Sequence, residues 1–247
     1  MAGIDCVSRT TIVIPMLNEE RALPRLAEHL AKLDPQPMEV VAVDGGSTDR
    51  SVELAQAQGW RVIETEAGRG RQINAGVEAA AGEYVVVLHA DTVPPMHFIA
   101  AIEETLADER ISLAGFRPIL RGPDKTRWGT TLHNWAKTWY APLLFRPHLF
   151  VRGCRLLFGD HAMFFRRAQF LDCGGCDPEA KVMEEADLCI RMTRFGRVKM
   201  IADRVETSDR RIAEWGSFKA NWIYLKVGFL WGLGAKKRLE RYYPDVR

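Results

Sequence analysis

No stretch of this 247-residue sequence approaches the ~20 consecutive apolar residues that a membrane-spanning helix requires. The segment Met1 to Arg9 lacks the apolar core of a secretory leader. Cysteine is sparse and odd in number, five in all, which does not make a paired disulfide framework and matches a reducing compartment. Charge of one sign is also missing: the formal net charge is +2, too weak a field to mark a nucleic-acid partner. There is no internal repeat, low-complexity tract or clear linker. These absences exclude a membrane span, a stapled secreted scaffold and a charge-driven nucleic-acid binder, and predict one cytoplasmic domain. Its 47% hydrophobic and 27% charged residues suffice for a buried core.

What the chain does contain is alternation of strand and helix. Thr10 to Met16 reads as a β-branched strand closed by Pro15, and Leu23, Leu26, Leu30 and Leu33 recur at helical spacing. Met38 to Val43 is a second strand, running into Asp44, Gly45, Gly46, Ser47 and Thr48, a turn that opens the next helix. Trp60 to Glu64 is a third strand and Glu83 to Leu88 a fourth. Short connections throughout predict an α/β fold with a mostly parallel twisted sheet flanked by helices. Ile111 to Leu120 reads as an edge or bent strand, because it crosses Gly115 and meets Pro118. Trp128 to Tyr140 reads as a helix whose Leu132, Trp135 and Trp139 stripe packs into a core or under a lid, with Pro142 and Pro147 breaking the chain after it. Glu184 to Phe195 is a further helix, Val198 to Ala202 a last short strand, and roughly Trp215 to Leu233 a C-terminal helix after a polar segment holding Arg210 and Arg211.

The centre of the chemistry is Gly68 to Thr92. Gly68, Arg69, Gly70 and Arg71 read as a flexible loop with two permanent cations, Asn74 to Ala81 as a short helix, and the fourth strand ends at His89, Ala90 and Asp91. In open α/β sheets ligands collect at the carboxyl ends of strands. A loop of arginines and a strand-end carboxylate suit a diphosphate with a divalent cation, Mg²⁺ or Mn²⁺; the latter also tolerates His89. Asp44 ends an earlier strand beside Asp91 and reads either as an acceptor for a base or ribose or as a turn-forming cap. Arg69 and Arg71 read either as diphosphate clamps or as solvated cations. Glu184, Glu185 and Asp187 include a candidate general base, and acidic residues also simply favour the first turn of a helix. Cys173 and Cys176 form C-x-x-C without a second pair and read as a turn. His161 beside Asp160 reads as a substrate contact, a metal contact or a structural histidine.

The segments IPMLNEE, VDGGSTDRS, GRGRQINAGVEAAAGEYVVVLHADT, FGDHAMFFRR and MEEADLCIRM, in this order, resemble the family-2 glycosyltransferases, nucleotide-sugar-dependent enzymes of the GT-A fold. GRGRQINAG, LHADT and the tail with Arg210, Arg211 and Tyr242 resemble most closely a short bacterial subgroup associated with radical-SAM and selenium-domain proteins. The resemblance implies that Pro15, Asn18 and Glu19 line the nucleotide pocket, that Asp44 reads the base, and that Arg71 and Asn74 close over ribose and diphosphate. His89, Ala90 and Asp91 occupy the position of the family's Asp-x-Asp metal motif. His89 replaces its first aspartate and leaves Asp91 as the main contact for Mn²⁺ or Mg²⁺. Gly159, Asp160 and His161 match the acceptor-side loop. Glu184 and Glu185 match a pair that usually reads Glu-Asp, with the catalytic base second, so Glu185 takes that role with Asp187 or Glu184 as substitutes.

The resemblance implies an inverting transfer from a nucleotide sugar, by default a uridine diphosphate sugar, to a small-molecule, lipid-linked or glycan acceptor. It divides the chain into a nucleotide-binding half over residues 1–92, an acceptor half over 93–209, and a C-terminal helix and tail over 210–247. Three alternatives stay open: a nucleotide-sugar-binding protein without activity, a nucleotidyltransferase, and a membrane-surface scaffold. The second usually carries a glycine-rich basic loop after its first strand, and none follows Pro15. The third rests on NWIYLKVGFLWGLGAKKR, whose apolar face before Lys236, Lys237 and Arg238 would lie on anionic lipid at the inner face of the membrane. Packing of that helix within the chain or in a homodimer is the competing expectation.

Overall fold

A computed structural model describes residues 8–122, 125–180 and 182–234; the basic tail and Tyr242 lie outside them. The first half runs β1 (Thr10–Met16), α1 (Leu23–Leu30), β2 (Glu39–Asp44), α2 (Ser51–Ala57), β3 (Arg61–Glu64), α3 (Arg69–Ala79) and β4 (Tyr84–Val87). The second half runs β5 (Thr92–Val93), α4 (Phe98–Ala107), β6 (Ile111–Arg121), α5 (Trp128–Phe145), α6 (Pro147–Val151), β7 (Phe164–Arg166), α7 (Arg167–Asp172), α8 (Glu184–Met192), β8 (Arg197–Ser208), α9 (Arg210–Trp215) and α10 (Ser217–Gly232).

The strands form one sheet in the order β3-β2-β1-β4-β7-β6-β8-β5. It is mixed. β3, β2, β1 and β4 are parallel, as is the β6–β8 pair, whereas β7 runs antiparallel to both its neighbours and β5 antiparallel to β8. The two-residue period of a strand sends alternate side chains to opposite faces. Val13, Val41, Val43, Val85 and Val87 therefore join Ile73 and Val77 of α3 in one core. Ile12, Ile14, Ala42 and Val86 join Leu23, Leu26 and Leu30 of α1 in the other. Burial on both faces is why these strands read as unbroken apolar runs.

Several elements differ from expectation. α3 begins at Arg69, five residues before Asn74, so Arg69 and Arg71 stand on a helix and not in a loop. β6 lies inside the sheet between β7 and β8; its bend is absorbed by register shifts at Ile111/Leu113 and Gly115/Arg117. Pro142 sits within α5, and Pro147 opens α6. β8 spans Arg197–Ser208, well beyond Ala202, and Arg210 starts a helix. The Leu132/Trp139 stripe of α5 is exposed, with Leu132 at 54%. The buried face of α5 is the polar one, Thr130, Thr131, Asn134 and Thr138 with Ala141. Trp135 lies between the two, its indole N–H donating to the Pro118 carbonyl at 2.8 Å.

Candidate active site

The carboxyl ends of β1, β2 and β4 open onto one crevice. Pro15 pairs with Val43 of β2 beyond the point, Val13 with Val87, where β4 stops pairing, so its missing N–H breaks no ladder on that side. Asn18 follows in a left-handed conformation, φ 55°. Its backbone N–H donates to Ser47 Oγ at 2.9 Å, and its Oδ1 accepts from the Thr48 N–H at 2.8 Å. Asp44 is 3% exposed. Its Oδ2 accepts the N–H groups of Gly46 and Ser47, both at 2.9 Å, and its Oδ1 accepts the Ser47 hydroxyl. The turn-forming reading of Asp44 is thus realised, and by simple count one of a carboxylate's roughly four acceptor sites remains. Behind the turn, buried Gln72 of α3 donates to Met16 O at 2.8 Å and Val43 O at 2.9 Å. It ties the ends of β1 and β2 together and packs on Gly45.

Glu19 and Asp91 face each other across this crevice. Arg210 spans them, its guanidinium 3.2 Å from Glu19 Oε1 and 4.0 Å from Asp91 Oδ2. Burial pushes the Glu19 carboxyl up, partly offset by Arg210. The neighbouring Ala90 is buried. Glu19 and Asp91, in the turns that follow β1 and β4, carry two negative charges of which one arginine offsets one. Hard carboxylate oxygens of this kind suit a divalent cation completed by substrate phosphate oxygens. Among the described residues no three His, Cys, Asp or Glu side chains cluster as a self-sufficient metal cage.

A second group converges on Gly159. A Cβ there would lie 2.5 Å from His89 Cε1, 2.7 Å from His89 Nε2 and 2.8 Å from Glu185 Oε1, so only glycine admits the imidazole and the carboxylate together. Glu184 and Glu185 are the first residues of α8 and are 1% and 3% exposed. The helix N-terminus favours their charge. Arg69 from α3 approaches both, at 3.5 Å and 3.3 Å. Burial and the adjacent Glu185 carboxylate push Glu184 up to about 7, against the pull of Arg69. Asp160 accepts a hydrogen bond from the Asn134 amide and lies 3.0 Å from His161 Nδ1. Burial alone would raise its carboxyl; His161, Lys137 and His89 overcome that and hold it at about 2. Lys137 of α5 sits nearby with its ammonium 3.6 Å above the Phe158 ring. Burial lowers it to about 8, against Asp160 and Glu185.

Of the remaining sequence candidates, Arg71, Asn74 and Asp187 lie elsewhere, and His161 stands behind Asp160. Arg71 pairs with Glu66 at 2.5 Å and Glu179 at 2.6 Å at the surface. Asn74 spends both ends of its amide on the Cys176 backbone, at 2.8 Å each. Asp187 pairs with Arg191 on the outer side of α8. His161 is fully buried, with Nε2 3.4 Å from Thr138 Oγ1 and Nδ1 beside Asp160. Four residues at the site had no sequence candidacy: Gln72, Asn134, Lys137 and Arg210, the last noted only as part of the tail motif. The spacing Thr130, Asn134, Lys137, Ala141 was the available signal, a helical face of small and polar residues opposite the aromatic one.

The chain matches the family model described as Glycosyl transferase family 2 over residues 11–175, more than half its length. It is 34% identical over 144 residues to the undecaprenyl-phosphate 4-deoxy-4-formamido-L-arabinose transferase of Pseudomonas paraeruginosa (strain DSM 24068 / PA7), covering 54% of this chain and 42% of that protein. The chain therefore spans less than half the length of that relative. It is 26% identical over 189 residues to a PGL/p-HBAD biosynthesis glycosyltransferase of Mycobacterium tuberculosis (strain ATCC 25177 / H37Ra), covering 73% and 68%. Among solved structures, a mannosyltransferase of Pyrobaculum calidifontis in complex with GDP-Man and Mn²⁺ superposes with TM-score 0.68 at 18% identity, over 97% of this chain and 65% of that one. Glucosyl-3-phosphoglycerate synthase from Mycobacterium tuberculosis, in complex with Mn²⁺, UDP and phosphoglyceric acid, superposes with TM-score 0.64 at 21% identity, over 96% and 80%. These likenesses establish the GT-A fold, and with the family match they make this chain a glycosyltransferase of family 2.

Proposed function

We propose that the chain transfers a sugar from a nucleotide-sugar donor to an acceptor oxygen with inversion at the anomeric carbon, and that Glu185 is the general base. The observation that carries this reading is the buried Glu184–Glu185 pair meeting His89 around Gly159, next to the strand-end crevice. In that crevice Asp44 takes the base through its remaining acceptor site, while Asn18, Gly45 and Pro15 shape the pocket floor. Asp91 with Glu19 would hold a divalent cation, Mn²⁺ or Mg²⁺, which would supply positive charge to offset that of the diphosphate. Arg210 moves its charge from the two carboxylates to the phosphates, and Arg69 faces the same oxygens from the start of α3.

Glu185 accepts the acceptor's hydroxyl proton as the oxygen attacks. The new carbon–oxygen bond forms on the face opposite the diphosphate, and the electron pair of the broken bond leaves with the diphosphate. Burial and the adjacent Glu185 carboxylate raise Glu184 to about 7, so Glu184 holds a proton over most of the range below that pH. The donor is a uridine diphosphate sugar by family resemblance. UDP and GDP-mannose in the superposed structures support a nucleotide-sugar site. We place the chain, by its motifs, in the short bacterial subgroup associated with radical-SAM proteins, working in the cytoplasm. No described helix is long and apolar enough to cross a membrane.

Water serves as acceptor in a test that needs no knowledge of the natural one. Incubation with UDP-α-glucose and Mn²⁺ should release glucose that is β by NMR before mutarotation. Glu185→Gln should slow release by about 10²–10⁴-fold, the usual weight of a general base, with UDP affinity kept. Release of α-glucose, or an undiminished rate in the variant, contradicts the assignment.

A further inference from the structure

Helices α5 and α10 lie against each other, joined by His133 and Asn221 at 3.1 Å, by Asn221 and Thr130 at 3.2 Å, and by the Phe145 and Phe229 rings at 6.0 Å. Between these contacts they enclose a cavity of about 190 Å³. Its wall is almost wholly apolar, including Ala141, Leu156, Phe158 and Trp231. That exceeds the roughly 150 Å³ apolar cavity that stays dry and accepts a benzene ring. At one end stands Lys137, its ammonium over Phe158 and within electrostatic reach of Asp160 and Glu185. Met183 lines the same cavity and is the residue immediately before Glu184 and Glu185. The lining residues Leu144, Leu225 and Phe229 are 67%, 46% and 57% exposed, so the apolar wall continues to the surface.

An apolar cavity with one cation in its lining, bounded by the residue that precedes the Glu184–Glu185 pair and edged by exposed leucine and phenylalanine, has the form of a subsite for an amphipathic substrate. We propose that this cavity receives the hydrocarbon part of the acceptor, a chain ending in an oxygen nucleophile that is thereby presented to Glu185. The chain's end enters beside Lys137, and its length runs out between α5 and α10 past Leu144 and Phe229. A phosphate-terminated chain and a neutral alcohol share this chemistry; Lys137 favours the first by charge. A neutral alcohol loses its proton to Glu185 as its oxygen bonds to the anomeric carbon. A terminal phosphate, already largely ionised near neutral pH, attacks through an oxygen that carries no proton. In both cases the diphosphate departs with the electron pair of the broken bond. The inference rests on the glycosyl-transfer reading above and narrows it from any acceptor to one with an apolar tail.

The test uses the full chain with dodecyl phosphate and 1-dodecanol, below their aggregation limits, followed by calorimetry and tryptophan fluorescence. Gly228 lines the cavity, and a Cβ there meets nothing within 4 Å, so the side chain of Gly228→Leu starts in open space and takes up cavity volume. Gly129 of α5 is equally open and lies off the cavity, which makes Gly129→Leu the control. Saturable binding of at least one probe is expected, weakened tenfold or more in Gly228→Leu and unchanged in Gly129→Leu. A phosphate preference that Lys137→Gln abolishes identifies a phosphate acceptor, and equal affinities identify a neutral one. As a readout independent of any variant, a diazirine-bearing dodecanol should label peptides of α5 and α10. Equal binding in wild type and Gly228→Leu, or labelling elsewhere, overturns the proposal. A parallel UDP titration separates the failures: UDP binding without chain binding defeats this inference alone, whereas binding of neither defeats the reading beneath it.

Discussion

Glu184 is the residue at which the cost of building this site is most visible. Its folded carboxyl sits at about 7 against an ordinary 4.5, raised first by burial and then by Glu185. Between those values the folded chain holds a proton that the unfolded chain has released. Stability is therefore fully present below about pH 4.5 and declines as pH rises to about 7. The shift corresponds to a loss on the order of 3 kcal/mol across that interval. Glu184→Gln, which keeps the shape and cannot ionise, should remove this decline. Urea unfolding at about pH 5 and about pH 8 checks it; a variant with the same pH dependence as wild type would show that the pair does not share a proton this way. Asp44, Asp91 and Glu185 stood out in the sequence because Asp44 ends a strand, Asp91 lies in the turn between β4 and β5, and Glu185 is in the first turn of a helix. The partners of Arg69 were not, since Glu184 and Glu185 lie 115 and 116 residues away and no local pattern announces an ion pair at that separation.

Helix α3 shows how packing overrides local preference. Gly68 and Gly70 made residues 68–71 read as a loop, since glycine costs about 1 kcal/mol inside a helix; Gly68 caps the helix and Gly70 lies within it. The glycines inside the helix permit close contact: a Cβ on Gly70 would meet the Asp177 carbonyl at 2.7 Å, and one on Gly76, further along, would meet Val13 Cγ1 at 2.4 Å and Val43 Cγ2 at 2.9 Å. Gly76→Ala should therefore destabilise by about 1–3 kcal/mol through overpacking, although alanine is the better helix former. A stabilised variant in urea unfolding would mean that α3 does not sit this close to β1. Gln72→Leu on the same helix should cost a similar amount, about 1–3 kcal/mol, because it leaves the Met16 and Val43 carbonyls without their shared donor. The same reasoning applies to α5. Its aromatic stripe reads as packed into a core or under a lid, yet the polar residues Asn134 and Thr138 occupy the buried face. Trp128 and Trp139 are exposed, and Arg155 stacks 4.3 Å from Trp139.

At the scale of the molecule, the alternation of strands and helices and the order of the five motifs were enough to predict the class of fold and its family. The antiparallel insertion of β7 between β4 and β6 was not legible, because its three residues, Phe164–Arg166, carry no periodicity to distinguish a direction. That insertion divides the sheet. β1 to β4 stand on one side with the Asp44 and Asp91 crevice, and β5 to β8 stand on the other beneath α5 and α8. The site lies where the two halves meet, with Arg210 reaching from the end of the second half to Glu19 of the first. Nucleotide binding at that junction is the claim on which the catalytic account depends. The measurement that tests it most directly is a calorimetric titration of the full chain with uridine diphosphate, with and without Mn²⁺, in wild type, Asp44→Ala and Asp91→Ala. Binding strengthened by Mn²⁺ in wild type, weakened tenfold or more by Asp44→Ala and deprived of its metal dependence by Asp91→Ala, is the expected result. Uridine diphosphate binding that neither substitution changes, or none in wild type with Mn²⁺ present, would contradict it.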